Sequence, residues 1–208
     1  MNILVTGASK GIGNAIAHEL QTLGEVFVTG RNEKALAECN AKGFCVCDLS
    51  KDINVLAKFI EENDIDVLVN NAGEYIYSAL ESMNITDIQR LYQTNLIAPA
   101  YLASKVIPNM KNKKWGRIIN IGSISGVMGE AYASIYSSSK AGLIGLTKAL
   151  ALELAEYNIT VNTINPGWVE TELGMASIDE SEFSREEIVE TIPQRRFVKP
   201  EEVAKLCK

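Results

Sequence analysis

The stretch Ile3-Leu4-Val5-Thr6-Gly7-Ala8-Ser9-Lys10-Gly11-Ile12-Gly13 decides the fold. Its first three residues form an apolar run typical of a buried strand, and the glycines that follow are typical of a tight turn. A helix is predicted from about Ile12 to Leu23, because apolar residues recur at four-residue spacing and Gly24 ends the pattern. The stretch therefore predicts a strand, a glycine-rich turn and a helix in immediate succession.

The same alternation continues along the chain. Further strands are predicted at short runs rich in valine, isoleucine and leucine, namely Val26–Thr29, Phe44–Cys47, Asp66–Asn70, Arg117–Ile121 and Ile159–Ile164. Helical periodicity lies between them, near Glu33–Ala41, Asp52–Glu62, Ile85–Met110 and Ser134–Tyr157. Strands that alternate with helices pair in parallel through right-handed crossovers, with helices on both faces of the sheet. We therefore predict an α/β fold, a doubly wound parallel sheet in three α/β/α layers, as one domain over residues 1–208.

The composition excludes several classes of protein. Twenty Lys and Arg residues against 26 Asp and Glu residues give a net charge of −6, which disfavours a general nucleic-acid or membrane-surface binder. The single histidine, His18, excludes a two-histidine metal site. Cys45 and Cys47 share one face of a predicted strand, and buried reduced thiols explain them better than a metal site does. With no membrane-length apolar run and no signal peptide, we expect a cytoplasmic protein without a metal.

Ligands of such sheets bind beyond the carboxyl ends of the strands, near the point where the strand order reverses. Residues suited to binding or chemistry follow most of the predicted strands, namely Gly7–Gly13, Asp48, Asn70–Gly73, Ser123 and Pro166–Thr171. At the first of these, glycines let a phosphate approach the backbone, and the start of the helix offers free N–H groups. The spacing differs from the G-x-G-x-x-G dinucleotide fingerprint, and a plain strand–helix connection is the alternative.

Tyr136 and Lys140 lie four residues apart on a predicted helix, so both project from one face. A tyrosine with a pKa near 10 needs that pKa lowered by about three units, or ~4 kcal/mol, to act as acid and base at neutral pH. A lysine ammonium ~4 Å away supplies about that much at an effective dielectric constant of 20. Ser123 ends a predicted strand thirteen residues before Tyr136. In most proteins such a pair alone is a surface feature, so its meaning depends on the other residues.

Together these residues resemble the short-chain dehydrogenase/reductase family in its compact single-domain branch. The shared positions are Thr6–Gly13, Asn70–Gly73, Asn95, Ser123, Tyr136, Lys140 and Pro166–Gly167 with Thr171, in the family's order from residue 2 to about residue 207. The run Lys140–Leu146 is most similar to the β-ketoacyl carrier-protein reductases of that family. The resemblance implies a Rossmann fold and an oxidoreductase that transfers a hydride between a nicotinamide and a carbonyl or secondary alcohol. Its substrate would be a ketoacyl thioester or a small ketone.

The resemblance also implies roles for single residues. Tyr136 would protonate the developing alkoxide, and Ser123 would hydrogen-bond the carbonyl oxygen. Lys140 would lower the pKa of Tyr136 and bind the nicotinamide ribose, while Asn95 would hold a water on the proton relay to Lys140. The cofactor would be contacted from the strand ends and the catalytic helix, by Gly7, Ser9, Lys10, Gly11, Ile12, Gly13, Arg31, Asp48, Leu49, Asn71, Ala72, Gly73, Tyr136, Lys140, Pro166, Gly167, Val169 and Thr171.

Asn95 has a feature of its own, because Pro99 follows it by four residues inside a helical pattern. In a regular helix the N–H of residue 99 would bond the carbonyl of Asn95, and proline has no N–H. We therefore predict a local kink and an Asn95 carbonyl that is available to a water. An ordinary proline kink without a functional water is the alternative.

The sequence favours NADP(H) over NAD(H). NAD-specific members of the family carry an acidic residue at the end of the second strand, where this chain reads Thr29-Gly30-Arg31-Asn32. The guanidinium of Arg31 suits a 2′-phosphate, and Lys10 in the glycine-rich turn adds a second cation. Solvated surface charges are the alternative. Asp48 would lie beside the adenine and contact its amino group.

The residues after Thr171 are predicted to form a lid over the substrate, spanning about 171–198. Between positions 170 and 190 this segment carries one arginine, Arg185, and eight acids, namely Glu170, Glu172, Asp179, Glu180, Glu182, Glu186, Glu187 and Glu190. A solvated helix face explains these acids better than charge-based selection of the substrate. These acids would also repel an acidic carrier protein, so they disfavour its binding to this segment.

A final helix begins at Pro200, and the sequence stops at Lys208 before the seventh strand usual in the family. We expect a sheet that lacks this strand. Either the chain is shortened, or the protein folds with six strands. A homo-oligomer, dimer or tetramer, is expected, although the usual tetramer packs through the missing region.

The alternative to an NADP(H)-dependent oxidoreductase is a catalytically idle NADP(H)-binding sensor or scaffold. The complete set of Ser123, Tyr136 and Lys140 argues against it, since binding alone needs no tyrosine acid. A nucleotide-sugar epimerase shares the tyrosine–lysine pair but differs in its glycine spacing.

Overall fold

The computed structural model describes residues 1–179 and 183–208. Its strands are β1 (Asn2–Thr6), β2 (Glu25–Gly30), β3 (Gly43–Val46), β4 (Val67–Asn70), β5 (Gly116–Ile121) and β6 (Ile159–Ile164). They form one parallel sheet in the order β3-β2-β1-β4-β5-β6. The predicted fold class is confirmed, and a strand lies at each predicted position. The order reverses between β1 and β4, so a crevice opens there at the carboxyl ends.

The helices connect the strands and continue after β6. They are α1 (Gly11–Leu20), α2 (Glu33–Ala37), α3 (Asn54–Glu62), α4 (Ile85–Tyr92), α5 (Ala98–Lys113), α6 (Ser125–Met128), α7 (Ser134–Leu154), α8 (Glu172–Asp179), α9 (Arg185–Thr191) and α10 (Pro200–Lys205). The first helix ends at Leu20 rather than Leu23, because the chain turns there to enter β2. The Glu25 N–H donates to the Met1 carbonyl at 3.0 Å, which sets the start of the β1–β2 pairing.

Two apolar layers enclose the sheet, and successive residues of β1 point into opposite layers. Leu4 packs with residues of α3, α5 and α7, including Leu56, Leu102 and Leu154. Ile3 and Val5 pack with residues of α1 and α10, including Ile16, Leu20 and Ala204. The four cysteines are free and buried. Cys45 and Cys47 lie in the same layer, as their spacing predicts.

In the described ranges, β6 pairs with β5 only and forms one edge of the sheet. The last helix, α10, does not cover that edge. It packs against α1, with Ala204 and Cys207 buried in the second layer. No helix in the described part of the chain is both long and apolar enough to cross a bilayer.

The segment that follows β6 folds back on itself. Val169 and Val198 pair in an isolated parallel bridge, and the Glu170 N–H donates to the Val198 carbonyl at 2.8 Å. Between them, Ile178, Ile188 and Phe197 form a small separate apolar cluster. Of the eight acids counted in this segment, Glu180, Glu182 and the side chain of Asp179 lie outside the described residues.

Leu68→Ala should destabilise the protein by about 2–5 kcal/mol, because Leu68 is fully buried in the central strand β4 and the smaller side chain leaves a cavity. Leu152→Ala is the matched control, since Leu152 is 83% exposed on α7. Urea denaturation measures both free energies of unfolding. Equal losses in the two variants would contradict the packing described above.

Candidate active site

The glycine-rich turn is bound to the end of β4 by Thr6 and Asn71. The Thr6 hydroxyl accepts the N–H groups of Asn71 and Ala72, both at 3.0 Å. The Asn71 amide donates in return to the carbonyls of Thr6 at 2.9 Å and Gly7 at 3.2 Å. Asn71, predicted as a cofactor contact, therefore also holds the two loops in register.

Glycine is required where these loops meet. Gly7 has φ = 66°, and a Cβ on it would lie 2.8 Å from the Cα of Ala72. A Cβ on Gly13 would lie 2.3 Å from the Gly7 carbonyl oxygen. The first turn of α1 receives no side-chain cap from Lys10, so its N–H groups face the loop. A narrow cradle that ends on an uncapped helix start suits the pyrophosphate of a dinucleotide.

Ser123, Tyr136 and Lys140 come together beyond the end of β5. The Ser123 hydroxyl lies close enough to the Tyr136 hydroxyl to lower the pKa of that phenol. The Lys140 ammonium is buried, donates to the Ile121 carbonyl at 2.8 Å, and lies 5.8 Å from the centre of the Tyr136 ring. A Cβ on Gly73 would lie 3.5 Å from Lys140 Nζ and 3.4 Å from Asn95 Oδ1. The four predicted catalytic side chains are thus grouped at the predicted edge of the sheet.

The stretch predicted to be helical near Ile85–Met110 is helical throughout, with one irregular turn inside it. The structure divides it into α4, a π-helical turn over Gln93–Ile97, and α5. The Ala98 N–H bonds the Gln93 carbonyl five residues back, and Pro99 has no N–H to give to Asn95. The irregularity therefore lies at Asn95, where the sequence predicts a kink. Water on the Asn95 carbonyl stays a prediction.

The Asn95 side chain is fully buried and engaged with its neighbours. It accepts from the Glu74 N–H at 2.9 Å and donates to the Glu74 carbonyl at 2.9 Å and to Ser139 Oγ at 3.2 Å. These bonds fix the chain just after Gly73. Because the amide is occupied, any water at Asn95 would have to bind the backbone carbonyl, as the sequence reasoning proposes.

The acid–base properties of the site differ from expectation in one respect. Burial lowers the pKa of Lys140 from 10.5 to about 8. Burial also raises the pKa of Tyr136, against a lowering by the Ser123 hydrogen bond, and the charge of Glu130 raises it further. Lys140 is not among the groups that shift this pKa here, so its lowering of the Tyr136 pKa stays a prediction. The physical reason is that the ammonium lies over the ring and donates to Ile121 rather than to the phenol oxygen.

Both predicted 2′-phosphate cations are paired with carboxylates. Lys10 pairs with Glu172 of α8. Arg31 lies 3.2 Å from Glu74, whose second oxygen lies 3.3 Å from Arg90 of α4. The side chains of Arg31 and Lys10 are nonetheless 67% and 62% exposed. The sequence analysis missed Glu74, although its position directly after Gly73 could have indicated it.

Several of the other predicted contacts line the same edge. Asp48 accepts from the Ser50 N–H and hydroxyl at 3.0 and 2.7 Å, and these bonds hold its pKa below the usual value. These bonds form a local turn next to Leu49, which is buried. The Pro166 carbonyl accepts from the Ile124 N–H at 2.9 Å, which joins the segment over 166–171 to the Ser123 loop. A Cβ on Gly11 would lie 3.2 Å from the methyl of Thr171.

The structure adds three residues to the site that the sequence analysis missed: Tyr75, Ser125 and Glu130. Glu130 accepts from the Tyr75 hydroxyl at 2.8 Å and from the Ser125 hydroxyl at 2.6 Å. Ser125 in turn bonds Ser123, and the Tyr75 ring packs edge-on against that of Tyr136 at 4.9 Å. Only Ser125, two residues after Ser123, had a position in the sequence that could have pointed to this cluster.

The lowered pKa of Lys140 predicts a pH dependence of stability. Between pH 8 and 10.5 the unfolded chain holds a lysine proton that the folded chain has lost, so stability rises with pH over this window. Lys140→Met removes the free-energy cost of burying the charged lysine. Its stability advantage over the original chain should be largest near pH 7 and shrink by up to ~3 kcal/mol towards pH 10.5. Urea denaturation at several pH values measures the difference.

Lys148→Met is the matched control, because Lys148 is exposed on the same helix. Its difference from the original chain should not change over this window. A constant difference for Lys140→Met as well would contradict a lysine held in the core with a depressed pKa.

Comparison with known proteins agrees with this geometry. The family profile described as short chain dehydrogenase matches residues 1–182. A 3-oxoacyl-[acyl-carrier-protein] reductase of Aquifex aeolicus is 37% identical over 97% of this chain and 86% of its own length. An acetoacetyl-CoA reductase of Cupriavidus necator is 36% identical over 98% of this chain and 87% of its own length. A crystal structure of an actinorhodin polyketide ketoreductase variant with NADPH superposes with a TM-score of 0.91 at 34% identity, covering 99% of this chain and 88% of that one. The chain therefore belongs to the short-chain dehydrogenase/reductase family of oxidoreductases.

Proposed function

We propose that the protein is an NADP(H)-dependent reductase of ketoacyl thioesters or small ketones. The observation that carries this proposal is the grouping of Ser123 and Tyr136 with the buried Lys140 ammonium, which lies 5.8 Å from the centre of the Tyr136 ring. A phenol held between a hydroxyl and a buried cation is suited to giving a proton to an alkoxide. An idle sensor or scaffold would not need this arrangement. Relatives named as 3-oxoacyl and acetoacetyl-CoA reductases support the substrate class.

The proposed chemistry divides between cofactor and protein. The nicotinamide, when bound, supplies the hydride. Tyr136 gives its hydroxyl proton to the substrate oxygen, and Ser123 lies beside that oxygen. The Lys140 cation stabilises the phenolate that Tyr136 becomes. The Asn95 carbonyl is the proposed site of the water that links Lys140 to solvent.

The residues present fit an NADP(H) cofactor. The cradle between Gly7 and Gly13 and the uncapped start of α1 would hold the pyrophosphate. Arg31 and Lys10 would hold the 2′-phosphate, which carries nearly two negative charges and can displace the single charge of a carboxylate. Glu74 would keep Arg90 as its partner when Arg31 turns to the phosphate. The NADP(H)-bound structures among the neighbours support this choice.

Apolar side chains near Ser123 support an acyl substituent on the substrate. Val127 and Met128 of α6 follow Ser123 by four and five residues and are 64% and 78% exposed. Arg196, a basic residue that could receive an acidic carrier protein, forms two 2.7 Å bonds to Glu202. This pairing favours a small thioester over a carrier-bound one.

Three further expectations belong to this proposal. We propose that the chain is one domain, that the segment over 171–198 is its substrate lid, and that the protein is a cytoplasmic homo-oligomer. The apolar side chain of Ile85 on α4, which is 65% exposed, supports association. Sedimentation at several protein concentrations measures the oligomeric state.

Tyr136→Phe should lower kcat for NADPH-dependent reduction of acetoacetyl-CoA by about 10²–10⁴-fold, because it removes the proton donor and little else. NADPH should still bind, with a loss of affinity far smaller than the loss of kcat. Tyr101→Phe is the matched control, since the Tyr101 hydroxyl bonds Asn54 outside the site. Turnover that survives Tyr136→Phe would contradict the mechanism.

Calorimetric titration tests the cofactor. We expect NADPH to bind at least tenfold more tightly than NADH, and Arg31→Ala to lose most of that preference, since a charged hydrogen bond contributes ~1.5–3 kcal/mol. Arg90→Ala is the control, because Arg90 also pairs with Glu74 but is not assigned to the phosphate. A preference for NADH would overturn the assignment of Arg31.

A further inference from the structure

The hydroxyl groups beside Tyr136 form a chain that ends on the Glu130 carboxylate. Ser123 Oγ and Ser125 Oγ lie 3.1 Å apart, and Ser125 Oγ lies 2.6 Å from Glu130 Oε2. Both serines are buried, at 8% and 9% exposure. The other carboxylate oxygen, Oε1, accepts from the Tyr75 hydroxyl at 2.8 Å. Glu130 thus reaches Tyr136 by two routes, through the serines and through the ring of Tyr75.

The number of protons on these hydroxyl groups determines which group donates and which accepts in each hydrogen bond. A carboxylate only accepts hydrogen bonds, so the Ser125 hydroxyl must donate to Glu130. The single proton of Ser125 is then used, and Ser125 Oγ can only accept from the Ser123 hydroxyl. Ser123 Oγ, which also accepts the Ser125 N–H at 3.1 Å, has no proton left for Tyr136. In this proton arrangement Ser123 therefore offers Tyr136 an acceptor and no donor.

We propose that Glu130 is a positioning residue that fixes this proton arrangement and holds Tyr136 in its protonated, donor form. The inference rests on the proposed function and extends it to the direction of the reaction. In reduction, the O–H bond of Tyr136 breaks, a new O–H bond forms on the substrate oxygen, and Tyr136 is left as a phenolate. While the serine hydroxyls donate towards Glu130, Ser123 cannot donate a hydrogen bond to that phenolate. The phenolate is less stable as a result, so Tyr136 tends to regain a proton.

This arrangement suits carbonyl reduction, which starts from the phenol, and opposes alcohol oxidation, which starts from the phenolate. Three charged or titratable groups face Tyr136 in the described ranges, and of these the Lys140 cation favours the phenolate. They are Lys140 on its own helix, Tyr75 from the segment after β4, and Glu130 from the turn before α7. The charge of Glu130 raises the pKa of Tyr136, which favours the protonated phenol.

Glu130→Gln tests the proposal, because it removes the charge and adds an amide donor with little change of shape. The amide can donate to Ser125, so that Ser125 donates to Ser123 and Ser123 donates to Tyr136. Both changes favour the phenolate. We expect the ionisation midpoint of Tyr136 to fall by about one pH unit. It is measured by NMR titration of protein labelled at the tyrosine ring carbon that bears the hydroxyl, with Tyr136 assigned from the signal lost in Tyr136→Phe.

Two further variants complete the experiment. Ser125→Ala breaks the chain but keeps the carboxylate, so the Tyr136 midpoint should fall by less than in Glu130→Gln. Glu153→Gln, at an exposed position of the same helix as Tyr136, should leave it unchanged. If Glu130→Gln does not fold, Ser125→Ala alone decides the outcome. An unchanged or higher Tyr136 midpoint in a folded Glu130→Gln or Ser125→Ala protein would overturn the proposal.

Activity gives a second, separable readout. Alcohol oxidation with NADP⁺ near neutral pH should be about tenfold faster in Glu130→Gln than in the original chain, while NADPH affinity stays the same. Equal losses of rate in both directions at every pH would indicate a merely structural role and would overturn the proposal. If the original chain reduces no ketone, the proposed function fails, and the NMR titration still decides whether Glu130 controls the protonation of Tyr136.

Discussion

The hydrogen bonds from Thr6 and Asn71 hold the ends of β1 and β4 together at the point where the strand order reverses, and the rest of the site depends on them. Parallel strands diverge beyond their last ladder bond, so without such bonds the two loops would separate. Here the loops approach so closely that Gly7 cannot carry a Cβ beside Ala72. The same contact places Gly73 against Lys140 and Asn95. One set of hydrogen bonds therefore fixes the position of the cofactor cradle relative to the catalytic side chains.

The site also depends on a charge that is buried without a carboxylate beside it. The Lys140 ammonium has the Ile121 carbonyl as its hydrogen-bond partner in the described part of the chain, and its pKa falls to about 8 as a result. Burying a cation near a phenol lowers the stability of the folded protein. The same cation stabilises the phenolate when the phenol loses its proton. The π-helical turn at Asn95 is a second departure from regular structure at this site. Irregular features of this kind commonly accompany function.

Much of the fold followed from local pattern. Short apolar runs predicted the strands, and their alternation with helical periods predicted a parallel sheet, because these signals depend on neighbours close in sequence. The helical stretch over Ile85–Met110 and its kink at Asn95 were predicted, but periodicity does not reveal that the irregular turn is π-helical, because the apolar face stays almost continuous. The ends of α1 and α2 also came earlier than predicted. Contacts with the next strand set those ends, and such contacts are not local.

The sequence by itself determined the fold class, the positions of the site residues along the chain, and the family resemblance, because each rests on residue identity at short spacing. Only the tertiary structure decided which groups meet across the site. It brought Glu74 to Arg31 from loops after different strands, and it joined Glu130 and Tyr75 to Ser123 through Ser125. The proton affinity of Tyr136 was likewise decided in three dimensions. It depends on burial and on the direction of hydrogen bonds, and neither can be read from the spacing of Tyr136 and Lys140.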